Sequence, residues 1–397
     1  TLFDLLEHLP QEAQEALLKL AVGEQPVAPA PVTDEVDPFE HPDAQRRFRV
    51  VTDRDELERA LDSPWEKWAV FLHPAQRETV DRSYSGPARV SGSAGTGKTI
   101  VALHRAAHLA RSKPTARVLL TTFSKPLANA LRAKLNHLVG NEPDVAKRIT
   151  TQALTAVGYD LYASLFGQPN LASPSLIRSL LTKAAEDLEG ARFTPHFLYG
   201  EWSDVVDAWG LQSWEDYRDV SRLGRKTRIG GKQRETLWAV FEGVRAGLRG
   251  RNQITLSDMF GRLTEHFGKG AAPPFDHVVV DEAQDISVAE ARFLAALAHD
   301  RPEALFFAGD IGQRIFQQPF SWKSLGLDVR GRSSTLRINY RTSHQIRAKA
   351  DRLLPGTVTD VDGVSENRRG TVSVFDGADP DVRTFDDAAH EQGAVGT

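Results

Sequence analysis

The amino-acid sequence predicts an α/β fold, a parallel sheet flanked by helices and interrupted by an α-helical insertion. Three observations lead there. Strand and helix signals alternate over residues 46–150, the strand signal vanishes over 151–252, and strands return over 253–335. Alternation of this kind builds strand–helix–strand units whose crossover helices cover a parallel sheet.

Each element follows from its residues. Residues 1–45 begin as a helical stub, with Leu2, Leu5, Leu6 and Leu9 at helical spacing and Gly23 as a stop. The Pro- and Ala-rich stretch 25–38 then reads as a semi-rigid tether. Arg89–Ser91 is a short strand, Lys98–Ala110 an Ala-rich helix, and Arg117–Phe123 a buried strand. In the insertion, Trp202, Val205, Val206 and Trp209 share one helical face, as do Leu237, Val240, Phe241, Val244 and Leu248. Strands return at His277–Val280, Ala304–Ala308 and Ser334–Asn339. The last stretch, about 343–397, carries helix, loop and a Val-Ser-Val strand without a complete domain, and the chain has no internal repeat.

Composition narrows the class. Hydrophobic residues at 41% and charged residues at 26% suit a soluble globular chain. No apolar run approaches the roughly 20 residues that cross a bilayer, and the N-terminus lacks the order of a secretory signal. The absence of cysteine excludes disulfides and thiolate metal sites and fits a reducing, cytoplasmic setting. A net charge of −4 argues against a protein that merely coats nucleic acid, so any DNA contact must come from a local basic groove. A first residue other than Met and the EQGAVGT ending read as a fragment of a longer chain.

The run Gly92, Ser93, Ala94, Gly95, Thr96, Gly97, Lys98, Thr99 fits G-x-x-x-x-G-K-[ST] between a strand and a helix. Its glycines let backbone N–H groups curl round phosphates where side chains would clash. Lys98 supplies a cation to the β- and γ-phosphates, and the Thr99 hydroxyl can ligate Mg²⁺. ATP with Mg²⁺ is therefore the expected ligand. The bland reading, a glycine turn, explains neither the lysine nor the hydroxyl.

Asp281 and Glu282 close the buried run Val278, Val279, Val280, at the strand edge where open α/β sheets place ligands. Asp281 would hold Mg²⁺ directly or through water, and Glu282 would orient and deprotonate the attacking water. An ordinary solvated acidic turn has the same letters, but beside a phosphate loop it is the weaker account. Gln284 and Asp285 complete the string DEAQD.

Together GSAGTGKT, VVVDEAQD, AGDIGQRIF and LRINYRT, in this order, resemble superfamily 1 helicases of the UvrD/Rep type over about residues 70–345. The resemblance implies a RecA-like P-loop NTPase domain and a partial second RecA-like domain from about 336. It implies an ATP-dependent helicase or translocase acting on single-stranded DNA with 3′→5′ polarity. Gln76, in a Phe71–Gln76 stretch, would read the adenine, and Arg105 matches a position near the nucleotide. Asp310 and Gln313 resemble a third motif, with Gln313 sensing the γ-phosphate. Tyr340 would stack on adenine and Arg341 would reach the γ-phosphate. Taken alone, Gln76 and Gln313 would read as surface glutamines and Tyr340 as a core aromatic.

On the DNA side, Phe123 and Ser124 resemble one single-strand-contacting motif and Thr151 another, in which Gln152 stands where many members have His. Trp322 corresponds to a base-stacking aromatic, although a buried core Trp fits its letters equally well. Arg225, Lys226 and Arg228 lie in a basic, glycine-containing stretch suited to phosphate-backbone contact or to plain solvation. Two further family motifs, one with a second Arg for the γ-phosphate, are not found, which predicts slow hydrolysis by this chain alone. An ATP-gated adaptor that switches a protein partner is the alternative reading, and partner capture dependent on ATP but not on DNA would favour it. A small-molecule kinase is disfavoured by AGDIGQ and by the lack of a lid-type Arg cluster.

Overall fold

The computed structural model describes residues 72–188, 193–220, 229–299, 301–310, 320–352, 357–363, 365–367 and 370–395. All fall in one compact unit, Asp62–Thr397. The stub and tether expected in 1–45 lie outside the described residues, as do Phe71, Gln313, Arg225, Lys226 and Arg228.

Six strands make the main sheet: β1 (Ala88–Gly92), β2 (Val118–Thr122), β3 (Ile149–Ala153), β4 (His277–Val280), β5 (Leu305–Ala308) and β6 (Ser333–Leu336). Their order is β3-β2-β4-β5-β1-β6 and every pair is parallel. Every C-terminal strand end therefore opens on one edge. Strands β1, β2, β4 and β5 are buried at every residue. That explains why they read as continuous apolar runs rather than alternating ones.

Neighbouring residues of one strand feed opposite cores, as the two-residue period of a strand requires. Leu120, Val279 and Phe306 pack against α1 (Lys98–Ser112) and α2 (Lys125–Val139), through Val101, Leu103, Leu109 and Leu131. Leu119, Val278 and Phe307 pack against α3 (Leu154–Phe166) and, later in the chain, against the helices Leu256–Gly268 and Val288–Ala298. Strand β3 runs across the boundary expected at 150, and α3 returns to the sheet. The insertion's own core is accordingly narrower than 151–252: it is built from Ile177, Leu181, Trp202, Val206, Tyr217, Leu237, Phe241, Val244 and Leu248. Both predicted helical faces are there, but Trp202–Asp207 is wound as a π-helix and leaves Trp209 half-buried.

The strand expected at Ser334–Asn339 divides. Leu336 ends β6, and Ile338–Asn339 (β7) pairs in parallel with Val372–Ser373 in a separate two-stranded sheet. A hairpin of Thr357–Thr359 with Ser365–Asn367 follows the helix His344–Asp351. Asp360 in its turn meets Arg89 of β1 at 2.9 Å, both side chains about 95% covered. No helix among the described residues is long and apolar enough to cross a membrane.

Candidate active site

The glycine-rich loop joins β1 to α1. Gly95 and Gly97 have φ of 85° and 84°, the left-handed region that side chains resist. A Cβ on Gly97 would collide with the Gln76 amide, and one on Gly95 with Asn339 Oδ1. Gly97 also caps α1 without a side-chain bond, which leaves the first N–H groups of the helix aimed at the edge. Lys98 folds back over the loop, its Nζ 2.8 Å from the Gly92 carbonyl and 3.1 Å from that of Ser93. The buried Ser93 hydroxyl has no partner.

Across β5 from the loop, β4 delivers Asp281. Its N–H donates to the Thr121 carbonyl at 2.8 Å, continuing the ladder with β2. Its carboxyl is fully enclosed, and burial, with the charge of neighbouring Glu282, pushes its pKa up to about 7. A Thr99 hydrogen bond and the Lys98 charge oppose that rise. A hydrogen bond from Thr99 therefore joins the end of the loop to Asp281, close enough to Lys98 to feel its charge.

Glu282 itself sits at φ 54°, ψ 45°. A non-glycine residue held there costs about 1–3 kcal/mol, and such strain concentrates at functional positions. Gln284 braces it: its Nε2 donates to Glu282 Oε2 at 2.7 Å and to Asp285 Oδ2 at 3.3 Å, while its Oε1 accepts from the Asp310 N–H at 3.0 Å. Gly309 leaves no room for a Cβ beside that amide. Gln284 thereby couples the ends of β4 and β5, a role its place in DEAQD does not by itself reveal.

Gln76 is buried at 4% exposure, contrary to a surface glutamine. Its Oε1 accepts from the His73 N–H at 3.0 Å and its Nε2 donates to the Thr96 carbonyl at 2.9 Å. It ties the preceding segment to the loop and retains one amide hydrogen for another acceptor. His73 and Tyr340 stand 5.4 Å apart by ring centroids. Burial lowers the His73 pKa and raises that of Tyr340, so both rings are neutral near pH 7. Tyr340 donates its N–H to the Gly95 carbonyl at 3.0 Å, and exposed Arg341 follows it.

Two expectations are corrected. Arg105 is 1% exposed and turned inward: it donates to the carbonyls of Val80 at 2.6 Å and Arg82 at 2.9 Å, and pairs with Glu303 at 3.1 Å. Two turns into α1, its guanidinium is used in holding the domain together, away from the nucleotide edge. Trp322 is 3% exposed and packs edge-on to Phe307 at 4.8 Å, inside the core, where no base can stack on it. Of the other DNA-side residues, half-buried Phe123 and Ser124 follow β2 at the same edge as the loop. Thr151, in neighbouring β3, has a buried hydroxyl without a partner.

Comparison with known proteins points the same way. The family profile of the UvrD/REP helicase N-terminal domain matches residues 72–319. The chain is similar to the ATP-dependent DNA helicase PcrA of Staphylococcus epidermidis, 24% identical over 313 residues, 71% of this chain and 40% of that protein. It is similar to the ATP-dependent DNA helicase UvrD2 of Mycobacterium tuberculosis, 26% identical over 310 residues, 71% of this chain and 43% of the relative. DNA helicase IV of Escherichia coli is 25% identical over 329 residues, covering 71% and 47%. The chain spans less than half the length of these relatives.

Proposed function

The chain belongs to the UvrD/REP helicase family through its N-terminal domain, and from that premise we propose that it is the ATP-hydrolysing part of a motor that moves on single-stranded DNA. The contact between Thr99 and Asp281 carries the reading, because it joins the phosphate loop to the acidic strand end.

The residues fit a magnesium nucleotide. Asp281 is a fully buried carboxylate whose charge is opposed by its surroundings, and a hydroxyl already bonds to it; a divalent cation would relieve that burden. Thr99 and Asp281 would hold Mg²⁺ with phosphate oxygens, a donor set that this ion accepts. When bound, the ion supplies charge neutralisation at the phosphates. The other steps belong to the chain: loop amides and Lys98 hold the phosphates, Glu282 takes the proton of the attacking water, and Arg341 meets charge on the outer phosphate. Gln76, His73 and Tyr340 bound the space for the base. Phe123 and Ser124, at the same edge, and Thr151 in neighbouring β3 would contact the strand, with 3′→5′ movement following the family. Hydrolysis by this chain alone is slow, since a second Arg for the γ-phosphate is not found in it.

Steady-state ATP hydrolysis with and without single-stranded DNA tests this. The strand should raise the rate, and an unchanged rate removes the motor reading. Glu282→Gln should bind ATP as the parent does and hydrolyse it about a hundredfold to ten-thousandfold more slowly. Undiminished turnover would mean that another group is the base.

A further inference from the structure

Asn339 belongs to two parts of the molecule at once. Its backbone lies in β7, paired with Ser373, and its carbonyl accepts from the Val374 N–H at 3.0 Å. Its side chain, 1% exposed, reaches the phosphate loop instead. There Nδ2 donates to the Ala94 carbonyl at 2.8 Å, and Oδ1 accepts from the N–H groups of Arg341 and Thr342, each at 3.0 Å. The adjoining Tyr340 N–H bonds to the Gly95 carbonyl at 3.0 Å. Three of the four hydrogen bonds open to a primary amide are thereby made.

Other side chains fail one half of this task. Aspartate has the acceptor without the donor, glutamine is a methylene too long, and serine can hold the local turn but cannot span to Ala94. The close approach also explains Gly95, where a Cβ would overlap the Asn339 oxygen. An acceptor on the loop crest and two donors in the following turn are thus read by one planar group.

We propose that Asn339 is a positioning residue that ties the crest of the phosphate loop to the strand bearing Tyr340 and Arg341, so that the loop sets where the aromatic wall stands. The inference rests on the nucleotide reading above and deepens it: Asn339 makes base recognition conditional on the phosphate loop. Its bond to Ala94 serves the base and not the phosphates.

The test compares two probes, MgATP and magnesium tripolyphosphate, by titration calorimetry on the whole chain. Asn339→Ser should weaken ATP about tenfold, the scale of one buried hydrogen bond, and leave tripolyphosphate within about twofold. Tyr340→Ala should lose the same preference, and the double variant should be no weaker than Tyr340→Ala alone. Asn339→Asp keeps size and acceptor, so its ratio of ATP to tripolyphosphate affinity should fall as that of the serine variant does, even though its charge weakens both probes. Equal loss of both probes in Asn339→Ser, a serine variant indistinguishable from the parent, or additive losses in the double variant would each overturn the proposal. A parent chain that binds neither probe would instead remove the nucleotide reading beneath it.

Discussion

The nucleotide edge of the sheet and the helical insertion treat buried polar groups in opposite ways. At the edge, the hydroxyls of Ser93, Thr121 and Thr122 are enclosed without partners, and Glu282 is held in a left-handed conformation. In the insertion, Glu201, fully buried, accepts from the Tyr217 hydroxyl at 2.9 Å, and Trp238 Nε1 donates to Glu242 at 3.0 Å. Ser213 closes a complete capping box. Arg245 Nε is the exception there. A buried group without a partner costs free energy, so a cluster of them marks where a ligand completes the bonding, whereas a satisfied region serves the fold.

The comparison is sharpest in the insertion core. Phe241→Ala should destabilise the protein by about 3–5 kcal/mol, since a fully buried ring leaves a cavity. Urea unfolding followed by tryptophan fluorescence reports on this region, which holds four of the seven tryptophans. ATP affinity measured while the variant is folded should stay at the parental value. A fall would show that the insertion shapes the nucleotide site.

Asp207 gives a smaller effect with a definite sign. It is half-buried where the insertion meets the start of the helix Leu256–Gly268, and accepts from Thr255 Oγ1 at 2.5 Å and Ser257 Oγ at 3.2 Å. Burial chiefly, with the nearby charge of Asp258, pushes its pKa up to about 6 from 3.8, and Arg245 acts against the rise. Between those values the folded chain binds the proton more tightly than the unfolded chain. This group's contribution to stability therefore declines as pH rises through the window, and the penalty is complete above pH 6. Asp207→Asn should be more stable than the parent at pH 7.5 by up to about 3 kcal/mol and keep about half of that gain at pH 5. Urea midpoints at the two pH values check it; a gain that does not depend on pH would mean the carboxylate is not the source.

Ser93→Ala is the smallest change and the most direct probe of the edge. Deleting a hydroxyl that bonds to nothing should shift stability by less than about 0.5 kcal/mol. ATP affinity should fall a few-fold in calorimetry. An unchanged affinity would show that an enclosed, unpartnered hydroxyl at this edge does not await a ligand.

How much was legible in the sequence depended on what each residue answers to. The places of the loop and of Asp281 and Glu282 were readable because glycines at fixed spacing before a helix, and acids closing an apolar run, mark a strand–helix turn and a strand end. The strands were readable because β1, β2, β4 and β5, buried on both faces, need apolar runs. Arg105 was misplaced because its partner Glu303 lies 198 positions away, and no local pattern shows which way a helical arginine turns. Trp322 had two readings, and core packing against Phe307 decides between them. Asn339 was passed over because its value lies in the carbonyl of Ala94, 245 positions earlier. Spacing along the chain shows what a residue type can do, but its partner is set by topology.

The strand order also works as a gauge. One strand, β5, separates the stem of the loop from the stem of Asp281, so two interstrand steps, about 10 Å, divide them. Thr99, at the start of α1, reaches back across that gap to Asp281. That spacing is built into the hydrogen-bonded ladder itself, and no side-chain substitution short of dismantling the sheet would reset it.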